Sequence, residues 1–91
     1  MKHKLIQVTW HDAHSITDTW TTFEDLDKEP CVVMSVGYLI AGVKPNHVVI
    51  AQSIIVDDSH LDHVLAIPNG MIKRIDTLKV SVLLPLETIN E

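Results

Sequence analysis

Glycine, cysteine, aromatic side chains and positive charge are all scarce in this chain of 91 residues. Its three glycines never fall in a run, which excludes a glycine-rich loop that cradles phosphates. A single cysteine, Cys31, excludes an internal disulfide and suits a reducing compartment. Standing at the head of an apolar run, it reads as a small buried hydrophobe. Seven Lys and Arg against twelve Asp and Glu leave a net charge of −5. Nucleic acid is held by clustered cations that release counterions. The nearest such groups are Lys73, Arg74 and Lys79, with Lys2 and Lys4 at the other end, so general nucleic-acid binding is not expected. No apolar run approaches the ~20 residues that span a bilayer. Lys2 and Lys4 precede only Leu5-Ile6 before Gln7, which is too short for a secretory leader. These absences predict a soluble, cytoplasmic protein without membrane contact.

What the chain does have is hydrophobic content, 46% with a mean hydropathy of +0.19. That suits one globular domain and excludes disorder. A domain this small buries only roughly 60–65% of the surface of its unfolded chain, and a second copy often supplements so thin a core. Leu5 to Trp10 alternates as a half-buried strand. His11 to Thr19 has no period and reads as a loop. Thr22-Phe23-Glu24-Asp25 resembles a capping box, predicting one short helical turn that Phe23 and Leu26 could dock, ended by Pro30. Cys31 to Ala41 is the strongest strand, with Val32, Met34, Val36, Tyr38 and Ile40 on one face and Gly37 at a coil or bulge. A turn at Gly42 to Asn46 leads into a strand from His47 to Val56. Beyond the acidic connection Asp57 to Asp62 come a short strand, His63 to Ile67, a tight Pro68-Asn69-Gly70 turn and a fifth strand, Met71 to Leu78. Five strands with a long first connection and a helical turn after strand one predict a mainly β fold, a small SH3-like barrel over residues 1–79. An Sm-like barrel is the alternative, with its helix placed before strand one. Residues 80–91 form an extension whose Val82, Leu83, Leu84, Leu86 and Ile89 suit an added strand or an oligomer contact.

Six histidines are many for this length. His11-Asp12-Ala13-His14 and His60-Leu61-Asp62-His63 each set two histidines three apart around an aspartate. His11, His14, His60 and His63 would be metal ligands only if the two loops met, because zinc needs near-tetrahedral convergence. The spacing lacks the helix and glutamate of H-E-x-x-H, so solvated loop histidines are the plainer expectation, with no metal and no cofactor. A nucleophile, Cys31 or Ser15, with His14 and Asp12 would need three groups of one loop to interlock, which is uncommon. Trp10 and Trp20 bracket the His-rich loop. They suit either a stacking platform for a base or peptide or, more simply, pins that hold the loop to a thin core.

Val8-Thr9-Trp10, Asp12, His14-Ser15, Trp20, Ser35-Val36-Gly37-Tyr38-Leu39 and Ile67-Pro68 with Ile72 and Ile75 resemble, as a set, short and functionally unassigned proteins of tailed bacteriophages and prophages. The resemblance spans roughly residues 6 to 78, and the tail exceeds it. It implies a small viral protein of the host bacterial cytoplasm and imports no catalytic residue. The expectation is a non-enzymatic accessory protein that self-associates and counters a host system by binding. Its target would be a host protein or a small anionic nucleotide signal, met by Trp10, Asp12, His14, Trp20, Lys73 and Arg74. A metal-dependent hydrolase built on the loop histidines, or a virion component, are the rivals.

Overall fold

The computed structural model describes residues 2–13, 19–26, 29–80 and 83–90. Five strands follow in order: β1 (Leu5–Asp12), β2 (Cys31–Leu39), β3 (His47–Ile54), β4 (Leu61–Pro68) and β5 (Ile72–Leu78). A 3₁₀ turn, Asn69–Met71, precedes β5, and a single helical turn, α1 (Leu86–Ile89), closes the chain. All pairings are antiparallel, in the order β4-β3-β2-β1-β5. The fold is therefore mainly β, with the strand order of an SH3-like barrel. Residues 2–4, ahead of β1, form no helix.

The sheet curls. Neighbouring strands lie about 4.8 Å apart, so a flat sheet would hold β4 and β5 roughly 19 Å from each other. Yet Ile67 of β4 and Ile72 of β5 pack into one cluster with Ile6, Val8 and Ile50, beside Trp10, Leu39 and Val48. Gly37 permits the closest approach in that curl. A Cβ there would stand 2.9 Å from the Ala51 carbonyl oxygen and 3.1 Å from the Ile50 Cβ.

The predicted turn after strand one forms, but as one hydrogen-bonded turn rather than a helix. The Asp25 N–H donates to the Thr22 carbonyl and to Thr22 Oγ1, both at 3.2 Å. Thr22 Oγ1 in turn donates to the Asp25 carboxylate at 2.8 Å, which diverts that carboxylate from the backbone N–H a capping box would satisfy. Phe23 is 88% exposed, so it does not dock on the barrel. Strand ends differ from expectation by a residue or two. β4 gains Leu61, Asp62 and Pro68, and β1 gains His11-Asp12, drawn in by pairing with Val32 and Cys31.

The face of β2 is set by β1. Ile6, Val8 and Trp10 point into the core and lie opposite Gly37, Ser35 and Val33. The more apolar row of β2 therefore faces out, with Val32 49%, Met34 68% and Val36 50% exposed. In the extension, Leu86–Ile89 is helical, and the described residues 83–90 add no strand to the sheet.

Candidate functional site

The two tryptophans part company. Trp10 is a structural side chain: it packs against the core cluster, and its Nε1–H donates to Ser35 Oγ at 3.1 Å across the β1–β2 ladder. Trp20 is 98% exposed. They form no common stacking platform. His14 lies outside the described residues.

Lys73 and Arg74 lie with Trp10 at one corner of the β1–β5 pair, whereas Asp12 stands two residues beyond that pairing, opposite Cys31 of β2. Thr9 faces Arg74 and Trp10 faces Ile72, so Lys73 is the extra residue of a bulge. The corner is nevertheless divided between two faces, because Arg74 sits opposite Thr9 on the outer side while Trp10 turns inward. Arg74 is also committed. Its Nε and Nη2 donate to the same Asp76 oxygen at 3.0 and 2.8 Å, and that carboxylate pushes the guanidinium pKa up.

Of the described histidines, His11 does not meet His60 or His63. Asp58, at the tip of the β3–β4 hairpin, lies against Lys2 and His3, and its carboxylate is 3.2 Å from His3 Nε2. The hairpin tip is thus held at the start of β1. His11 stands eight residues further along, roughly 26 Å at the usual strand rise. His60 Nδ1 lies 3.0 Å from Ser59 Oγ, and His63 Nδ1 lies 2.8 Å from the Asp62 carboxylate. Among the described residues no three His, Cys, Asp or Glu side chains converge as a metal site. His11 Nε2 is buried without a hydrogen-bond partner.

Two features escaped sequence reasoning. The first is the Lys2–His3–Asp58 contact, which lines a shallow cavity of about 310 Å³ with Tyr38, Ile54 and Val56. Lys2, followed by His3, holds the Asp58 carboxyl below the usual aspartate range. Only the acidity of Asp57-Asp58 hinted at a partner. The second is a depression of about 370 Å³ in which His3, Lys4 and Lys79 gather around Leu5 and Leu78. Lys4 and Lys79 are far apart in sequence, and the Leu5–Leu78 pairing brings them together.

No family model, curated protein or solved structure matches the chain. The geometry is left to speak through what it exposes. No helix among the described residues is long and apolar enough to cross a membrane. Large apolar side chains stand in solvent instead: Trp20 and Phe23 between β1 and β2, the Val32–Met34–Val36 row, and Val80 and Leu83 beyond β5.

Proposed function

We propose that this chain is a non-enzymatic accessory protein of a tailed phage or prophage. In this reading it self-associates and works in the host bacterial cytoplasm, countering a defence system by binding a host protein. The observation that carries the reading is the pair of aromatic side chains offered from the β1–β2 connection, Trp20 at 98% and Phe23 at 88% exposure. Aromatic residues supply most interface anchors, and they are costly to leave in water without a partner. The viral setting rests on the resemblance carried by Trp10, Asp12, Ser35-Val36-Gly37 and Ile67-Pro68.

A small anionic nucleotide is the second reading. The neutralised Arg74 weakens the corner first expected to hold it, and the Lys4–Lys79 depression is the better seat. One pair of measurements separates the two. Native mass spectrometry of the untagged protein, purified without chelators, is expected to show no added mass. Capture of a host protein from bacterial lysate is expected to fall at least about tenfold in Trp20→Ala, on the scale of an interface anchor. The thermal melt should stay put, because that side chain touches little of the fold. A stoichiometric nucleotide would replace the protein target with a signal sponge. A stoichiometric metal together with hydrolytic turnover would replace both with a hydrolase, and presence in purified virions would make the chain a particle component.

A further inference from the structure

Among the described residues the three longest stretches of open edge lie on β5, β4 and β2, and two of them are guarded. The free side of β5 carries the charged Lys73, Arg74 and Asp76 and the bulge at Lys73. β4 carries Asp62, a kink at His63 with φ 50° and the terminal Pro68. Charge, bulges and proline are the usual means of keeping an edge from pairing with another strand. The third stretch has none of these. Among the described residues β3 pairs with β2 only at Tyr38 and Leu39, so there the upstream half of β2 has a neighbour on its β1 side alone.

Which backbone groups face the open side follows from the ladder. The Leu39 N–H donates to Lys4, and the Ile40 N–H donates to Val49. Odd residues of β2 therefore turn their polar groups toward β1 and even residues turn them away, so Val32, Met34 and Val36 present N–H and C=O to the gap. Between Cys31 and Val36 no residue is charged and none is proline.

We propose that this half of β2 is the surface through which two copies of the chain pair, as an antiparallel ladder centred on Met34. The second copy is singled out by the strand itself. The exposed row Val32, Met34, Val36 reads the same in both directions, so a two-fold axis through Met34 sets Val32 against Val36 of the partner subunit and Met34 against Met34 of the partner subunit. Each facing pair exchanges two backbone hydrogen bonds. The interface closes on itself, as a two-fold contact must. This specifies the self-association within the function proposed above. It stands or falls by the ladder's register, whereas that reading stands or falls by target capture.

Single cysteines in a Cys31→Ser background test the register with a bis-maleimide linker shorter than about 13 Å. Facing Met34→Cys positions lie about 5.5 Å apart between Cα atoms, and the protein is expected to cross-link to a dimer. Val32→Cys positions are offset by four residues, about 13 Å along the strand, and are not. Mixed Val32→Cys and Val36→Cys proteins are expected to link to each other. Met34→Lys, at a side chain already 68% exposed, is expected to keep the melt and lose the dimer in sedimentation. A wild-type monomer at about 0.1 mM, equal linking at positions 32 and 34, or an undisturbed Met34→Lys dimer would each overturn the proposal.

Discussion

Gly37 owes its place to the space it leaves empty rather than to an unusual dihedral. A methyl group there meets the Ala51 carbonyl oxygen and the Ile50 Cβ, both on the strand that β2 crosses. Forcing atoms into packed surroundings costs about 1–3 kcal/mol. Gly37→Ala is expected to lower the unfolding free energy by that amount, seen as a lower urea midpoint at unchanged slope, and an unchanged midpoint would show that β2 and β3 part freely. Trp10 and Ser35 form a second such point. Trp10→Phe keeps most of the ring and loses the Nε1–H donor, while Ser35→Ala loses the acceptor. Each is expected to cost about 1 kcal/mol. Because both remove one bond, the double variant should cost clearly less than the two single costs combined. Full additivity in urea melts would mean the bond contributes nothing.

The β3–β4 hairpin is joined to the rest of the sheet by a short ladder. It shares only two residue pairs with β2, and its tip is secured by Asp58 against Lys2 and His3. A carboxyl held below its usual pKa stabilises the fold above its unfolded value and loses that contribution as pH falls through the folded value. The Asp58 carboxylate's part of the tip contact should therefore be lost, and the tip loosen, below about pH 4. Faster amide exchange at Ser59 and His60 on acidification, abolished as a pH effect in Asp58→Asn, is the expected result. Exchange that stays pH-sensitive in Asp58→Asn would show that another group governs the tip. This contact also marks where sequence reading stops. The five strands were legible because Leu5 to Trp10 alternates and Pro45-Asn46 and Pro68-Asn69-Gly70 punctuate the runs. Hydrophobic count alone, however, could not orient β2, whose richer row turns outward once Ile6 and Val8 take the core. The candidate site was legible only in part. Lys73 and Arg74 come beside Trp10 through the β1–β5 register, but no local pattern announces that Asp76 occupies Arg74, or that a hairpin tip folds back on Lys2.

As a whole the molecule is rich in surface. It exposes 7594 Å², where a compact monomer of 10.2 kDa exposes roughly 5,300 Å². Its buried hydrophobic residues are few: Ile6, Val8, Val49, Ile50, Ala51 and Ile67 among those described. Each copy carries a net charge of −5, and the proposed ladder carries none. Raising ionic strength from about 0.01 M to about 0.15 M shortens the screening length from about 30 Å to about 8 Å, so copies repel less and the dimer should tighten. A dimer that loosens with salt would be held by ion pairs, not by β2. The place of β1 between β2 and β5 has a kinetic consequence as well. Its partner β5 lies about 70 residues downstream at Leu5 and Leu78, so a long loop must close before that ladder forms. The β3–β4 hairpin can assemble early from neighbouring residues, whereas the first strand made waits for the last. Distant pairings of this kind place folding in the millisecond-to-second range. Until β5 arrives, β1 is an open edge too, and a second chain's β5 could take its place, exchanging strands between copies.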